Sequence, residues 1–182
     1  MYLVLTASPN QEGLTAACGK AAAKGISDMG GTVESYDLCR EKIKGCRVCG
    51  DGWGICRTES RCVIDDPMQM LKDKMAKADG LFLITPVYWA QQSEIMKYFC
   101  DRVRRCEAIK FEKSALYGKR INLIAAAGGS GNGTVSCLTD MELWAKHVGA
   151  IPVQRIGIDR FNRETMMKVI ERAGRDMVSF TT

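Results

Sequence analysis

Four cysteines, Cys46, Cys49, Cys56 and Cys62, fall within seventeen residues at spacings x2, x6 and x5. Soft thiolates at this density suit zinc or an iron-sulfur cluster. Gly50, Gly52 and Gly54 let the intervening chain wrap tightly and offer amides to sulfur, while Arg47, Arg57 and Arg61 can offset the charge of a thiolate-bound centre. The alternative is an interface loop whose thiols are buried as small apolar groups. Cys18, Cys100, Cys106 and Cys137 fall on predicted helices and read as core. His147 is the one histidine, so a zinc centre with two or three imidazoles is excluded within the chain. It belongs near a helix C-terminus. No catalytic acid, base or nucleophile stands out.

Three further segments have the chemistry of a binding site. In the first, Ser8, Asn10 and Thr15 offer side-chain donors, Gly13 permits close backbone approach, and a helix beginning at Leu14 adds free amides and a positive dipole. Together they form a phosphate cradle. The P-loop pattern fails here, because the second glycine comes late and Ala21 replaces the metal-binding hydroxyl; no G-x-G-x-x-G occurs. The second segment, Pro86-Val87-Tyr88-Trp89, sets two large aromatics just past a buried strand. A flat conjugated ligand could lie against them; the alternative is a core cap or a subunit interface. The third runs from Ala127 through Gly128, Gly129, Gly131 and Gly133, where backbone can approach a ligand closely. A plain linker is its alternative.

The elements that position these segments alternate regularly. Compact apolar runs at 2–7, 32–38, 81–85, 120–127 and 151–158 predict five strands, the third closed by Pro86. Amphipathic or alanine-rich stretches at 14–29, 66–78, 93–106, 134–147 and 163–180 predict five helices, with Asp65 or Asp66 capping the second before Pro67. Met68, Met70 and Met75 read as packing. Such alternation means βαβ units, a parallel sheet with helices on both faces, and ligands beyond the carboxyl ends of the strands. Residues 39–65 break the rhythm with a cysteine-rich insertion, and a loop that long is usually functional.

These motifs resemble the NADPH-dependent FMN reductase family on a flavodoxin-like fold, in the branch containing the iron-sulfur flavoproteins. Ser8-Pro9 with Gly13 and Thr15, Cys62-Val63-Ile64-Asp65-Asp66, Ala78-Asp79-Gly80, Pro86-Val87-Tyr88-Trp89, and Lys97-Tyr98-Phe99 with Asp101-Arg102 carry the likeness, over residues 1 to about 135. The family usually has a basic residue where Asn10 stands and Asn where Leu14 stands. The iron-sulfur branch spaces its first three cysteines x2, x2; here Gly52 fills the third place and Cys56 is the only substitute. The resemblance implies a three-layer α/β sandwich with a five-stranded parallel sheet in order 2-1-3-4-5, formed by one domain over 1–182. It implies FMN, with its phosphate at Ser8, Asn10, Gly13, Leu14 and Thr15 and its ring against Pro86, Val87, Tyr88, Trp89, Gly128, Gly129 and Gly133. NAD(P)H would donate hydride, and a quinone, free flavin, metal ion or similar small acceptor would receive the electrons. Cys46, Cys49, Cys56 and Cys62 would be the ligands of any iron-sulfur cluster. Asp101 and Arg102 read as structural ion-pair residues. A homo-oligomer, dimer or tetramer, follows from the same resemblance.

Composition narrows the alternatives. The chain has 182 residues, 46% hydrophobic and 26% charged, enough to bury a core without disulfides. Nine cysteines in a reducing compartment favour metal or redox chemistry over structural bridges. No secretory signal or membrane span is read, so a soluble cytoplasmic protein is expected. The net charge of +5 is mild and scattered, which argues against a zinc-bearing nucleic-acid module. It also argues against a pure electron shuttle, since carriers of this fold are typically acidic.

Overall fold

A computed structural model describes residues 1–180. In chain order the elements are β1 (Tyr2–Thr6), α1 (Leu14–Asp28), β2 (Val33–Asp37), α2 (Ile55–Thr58), α3 (Met68–Lys77), β3 (Gly80–Tyr88), β4 (Gln91–Gln92), α4 (Glu94–Glu107), a 3₁₀ stretch (Ala108–Lys113), β5 (Arg120–Ala126), α5 (Thr134–His147), β6 (Ile151–Ile158) and α6 (Arg163–Ser179). The parallel sheet runs β2-β1-β3-β5-β6, with β4 pairing antiparallel to the end of β3. This is the expected 2-1-3-4-5 order, with one short strand added.

The apolar strands are explained by cover on both faces. Alternate residues point to opposite layers. Leu3, Leu5, Leu81, Leu83, Ile121 and Leu123 pack with Met68, Leu71, Met75, Phe99 and Met141 from α3, α4 and α5. Tyr2, Val4, Phe82, Ile84 and Ile124 pack with Cys18, Ala22, Ile170 and Met177 from α1 and α6. The α1–α6 contact depends on two glycines: a Cβ on Gly25 would strike the Glu171 carbonyl, and one on Gly174 the Ala22 carbonyl.

Two expectations need correction. The third strand does not close at Pro86; Pro86 pairs with Ala126 and the chain continues to Tyr88, because β4 folds back and pairs with Val87 and Tyr88. Met70 is exposed, whereas Met68 and Met75 are buried, since only the latter pair faces the sheet. Asp101 and Arg102 each make a structural ion pair, as expected, though with different partners: Asp101 accepts from Lys97 at 2.9 Å, and Arg102 turns inward to Asp66.

Candidate functional site

The loops after β1, β3 and β5 leave three neighbouring strands on one carboxyl rim, with strands about 5 Å apart. Ser93 ties this rim together. Its Oγ donates to the Ala7 carbonyl at 2.9 Å, its amide donates to Thr85 Oγ1 at 3.0 Å, and its Oγ accepts the Met96 amide at 3.5 Å, capping α4. All of these groups are buried. The Ser93 cap is legible in the sequence; its bond to Ala7, eighty-six residues away, is not.

The first loop organises itself. Ser8 Oγ accepts the Asn10 amide at 3.3 Å, Asn10 Oδ1 accepts the Glu12 amide at 3.1 Å, and the Gly13 amide donates to the Asn10 carbonyl at 3.3 Å. Gly13 occupies the cap position of α1 and has no side chain to satisfy the helix amides. The first-turn amides of α1 therefore point outward without intrahelical acceptors, and no acidic residue stands in that turn. That donor set fits a phosphate. Leu14 is half-buried and Thr15 buried.

The second loop is a two-residue hairpin. Tyr88 pairs with Gln91, and the intervening Trp89 and Ala90 have φ of 50° and 64°. Positive φ at both central residues is the type I′ signature, normally supplied by Asn-Gly. Trp89 is 99% exposed, so it caps no core in this chain; Tyr88 is exposed as well. Pro86 is buried and Val87 half-buried.

The third loop meets the hairpin. Gly133, at φ 84°, begins α5 so close to the turn that a Cβ there would lie 2.6 Å from the Ala90 Cα. Gly128 and Gly129 face open space. Val87, Trp89, Ala90, Asn132 and Gly133 enclose a cleft of about 330 Å³. Ala90 and Asn132 are additions that strand-and-loop reading does not supply, since neither type announces ligand chemistry. The residues of the first loop do not line this cleft; they lie one strand over, on the β1 side of the rim.

The four loop cysteines line one small cavity, together with Arg47, Ile55, Val63, Ile64, Arg102 and Arg105. Distant anchors hold the loop. Asp66 receives Arg102 through two nitrogens at 2.5 and 2.9 Å, and also accepts the Lys44 amide at 2.9 Å and the Met68 amide at 3.2 Å. Arg102 further donates to the Lys44 carbonyl at 3.0 Å. One ion pair thus fastens both ends of the loop to α4. Burial pushes the Asp66 carboxyl up, but Arg102 and the two amides outweigh it and hold it below its ordinary value. The Val48 amide donates to Cys46 Sγ at 3.4 Å.

Of the three cations expected beside the thiols, Arg47 lines the cavity and the other two do not. Arg61 pairs with Glu59, and Arg57 lies over Trp53; Arg102 and Arg105 of α4 line the cavity. Arg102 Nε and Arg105 Nη2 are buried with no acceptor. Four thiols and two buried guanidinium nitrogens have the chemistry of a thiolate-ligated anionic centre, but the cavity as folded does not fit one. The enclosed space is about 20 Å³, room for about one water, so such a centre requires the loop to spread. Among the described residues no three thiol, imidazole or carboxylate groups converge tightly enough for a single metal ion.

The topology and the ligand rim define a flavodoxin-like α/β protein. The chain belongs to the NADPH-dependent FMN reductase family, which matches residues 2–162. It is 34% identical over 101 residues to an iron-sulfur flavoprotein of Methanocaldococcus jannaschii, covering 55% of this chain and 50% of that protein. It is 31% identical over 123 residues to the iron-sulfur flavoprotein of Archaeoglobus fulgidus, covering 68% and 49%. The chain thus spans about half the length of the curated relatives it matches. Among solved structures it superposes on an NAD(P)H:quinone oxidoreductase from Methanothermobacter marburgensis with a TM-score of 0.74 at 20% identity, over 97% of this chain and 94% of that one. A flavodoxin from the domain Archaea gives 0.66 at 13% identity, over 100% and 99%. These structural likenesses concern the fold. Among the described residues no helix is long and apolar enough to cross a membrane.

Proposed function

We propose that the protein binds FMN on the rim formed by its three loops, accepts hydride from NADH or NADPH, and passes electrons to a small-molecule acceptor such as a quinone, a flavin or a metal ion. The observation that carries this reading is the joined rim. Ser93 fixes the first and second loops together, and Gly133 lets the third pack against the second. Ser8, Asn10, Gly13, Leu14 and Thr15 hold the phosphate, chiefly through free α1 amides. Pro86, Val87, Tyr88 and Trp89 form one wall of the ring site, and Gly128, Gly129 and Gly133 the other. When bound, FMN supplies the two-electron chemistry, so the chain need provide no acid, base or nucleophile. Backbone donors at the glycine loop favour negative charge next to them.

The loop thiols Cys46, Cys49, Cys56 and Cys62 are read as ligands of an iron-sulfur cluster. A single zinc needs four sulfurs about 2.3 Å from one point, whereas a multi-iron centre spans wider-set thiolates. A redox flavin in the same chain also gives a cluster a use. Exposed Trp89 and the cysteine loop are read as meeting a second subunit, within a cytoplasmic homo-oligomer. Nothing in this reading involves nucleic acid.

The test is aerobic and anaerobic purification with flavin, iron, zinc and sulfide analysis, followed by NADH and NADPH oxidation with quinone or flavin acceptors. Retained FMN at micromolar protein and steady turnover support the enzyme. A yellow protein without turnover marks the runner-up, a flavodoxin-like or iron-sulfur electron carrier. Failure to retain FMN removes both.

A further inference from the structure

The loop after β6 lies on the same carboxyl rim, and the proposed flavin site does not use it. β6 neighbours β5, so this loop follows the glycine loop, two strands from β3 and therefore about 10 Å along the edge. The two loops touch: a Cβ on Gly131 would strike the Asp159 carboxylate. Hydrogen bonds fix the shape of the loop. Asp159 Oδ1 accepts the Phe161 amide at 2.7 Å and the Asn162 amide at 3.1 Å, and Asn162 Oδ1 accepts the Asp159 amide at 2.9 Å. Phe161 is thereby held outward, 73% exposed. The Arg160 guanidinium lies 4.5 Å from the ring centre on one face, which leaves the opposite face open. Both residues, with Arg163, Glu164, Met167 and Lys168, line an open cleft of about 590 Å³. Lys168 neutralises Glu164 at 3.0 Å. Among the described residues neither Arg160 nor Arg163 pairs with a carboxylate.

An open aromatic face beside unpaired guanidiniums suits a phosphorylated purine nucleoside: the base stacks on the ring and the phosphate meets the cations. Position on the rim selects among such ligands. A nicotinamide that meets the flavin must lay the rest of its dinucleotide along this edge. The FMN phosphate takes the β1 side in the proposed reading, which leaves the β6 side for the reductant. We propose that the loop after β6 binds the adenylate end of NADPH, with the purine on the free face of Phe161 and the 2′-phosphate against Arg163. This rests on the proposed flavin rim for its place in turnover, while the platform itself is testable without flavin. Stacking serves NADH and NADPH alike. The guanidinium separates them, because NADH has no 2′-phosphate.

The experiment is calorimetric titration of the full chain with adenosine 2′,5′-bisphosphate and with AMP, repeated for Phe161→Ala, Phe161→Trp and Arg163→Met. Both side chains are exposed, so the variants should keep the wild-type fold. Wild type should bind the bisphosphate about tenfold more tightly than AMP. Phe161→Ala should weaken both nucleotides about tenfold, the worth of one base–aromatic stack, and Phe161→Trp should preserve them. Arg163→Met should remove most of the preference for the bisphosphate. In steady-state oxidation by FMN-loaded protein, Arg163→Met should shift the ratio of the NADPH and NADH KM values about tenfold toward NADH. Wild type that binds neither nucleotide, or a bisphosphate affinity that neither Phe161→Ala nor Arg163→Met lowers, overturns the platform. An unchanged KM ratio in Arg163→Met overturns the assignment to NADPH. Nucleotide binding that follows the variants in a protein that retains no FMN upholds the platform and removes the proposed reductase.

Discussion

Arg102 on α4 and Asp66 at the start of α3 face each other in a two-pronged ion pair, with side chains 1% and 3% exposed. The pair does more than neutralise two charges. Asp66 also collects the Lys44 and Met68 amides, and Arg102 the Lys44 and Ile64 carbonyls. Both ends of a loop with little regular structure are thereby fixed to the helix that walls the cysteine cavity. Removing one partner leaves the other buried and unpaired. Asp66→Asn or Arg102→Met should destabilise the protein by about 3–5 kcal/mol, read as a lowered urea midpoint. Proteolysis should cut within residues 44–64 before any other segment.

Acid should act through the same carboxylate. The folded Asp66 carboxyl lies below its ordinary 3.8, and half-buried Glu142, paired with Arg155 and Lys146, is drawn down to about 2. A depressed folded value contributes stability that is whole above the ordinary carboxylate range. That stability is lost as pH falls through the folded value. Stability should thus hold above about pH 4 and decline from there toward pH 2. In Asp66→Asn the decline should be shallower, a difference measurable by chemical denaturation at stepped pH.

The hairpin of Trp89 and Ala90 is strained, since both residues have positive φ and neither is glycine. Ala90→Gly relieves one left-handed residue, worth about 1 kcal/mol. For a chain of this size the melting temperature should rise by about 2–4 °C. A fall on calorimetry would mean that the Ala90 methyl makes a contact worth more than the strain.

Gly133 tests the joined rim. Alanine there would add a side chain at φ 84° and drive a methyl to 2.6 Å from the Ala90 Cα. The third loop must move off the hairpin, and FMN retention should fall at least tenfold by fluorescence titration. Helical content in circular dichroism should be unchanged, because α5 can begin one residue later.

Thiol reactivity should separate the four core cysteines from the four cavity cysteines. Burial pushes Cys18, Cys106 and Cys137 up to about 12 and Cys100 well above its ordinary value, so all four should resist alkylation at pH 8. Cys46, Cys49, Cys56 and Cys62 are only half-buried and should label in the native protein. Mass spectrometry after a short maleimide pulse reads the order. Loading with iron and sulfide should protect the loop set alone.

The alternation of strands and helices and the three rim loops were legible because each follows from local pattern, while the strand order came with the family resemblance. Buried parallel strands are unbroken apolar runs, and the helices carry their own periodicity. The rim follows from chain direction alone, since every parallel strand ends on the same side. The hairpin was not legible: Trp-Ala lacks the residues that normally mark a type I′ turn, and a proline just before it suggested a strand end. Pairing from β4 overrides that local signal. The guanidiniums beside the thiols were missed for a different reason. Sequence proximity pointed to Arg47, Arg57 and Arg61; the cavity keeps Arg47 but adds Arg102 and Arg105 from some forty residues downstream.

Composition and order along the chain were thus enough to determine the layered sheet and the gathering of four thiols in one loop, because those depend on periodicity and short-range spacing, while shared motifs carried the likeness to the family. Only folding decided which cations face the sulfurs, which serine fastens the rim and how openly Trp89 stands. Those depend on contacts between groups far apart in the chain, where packing against the sheet brings α4 beneath the cysteine loop and β4 alongside α5.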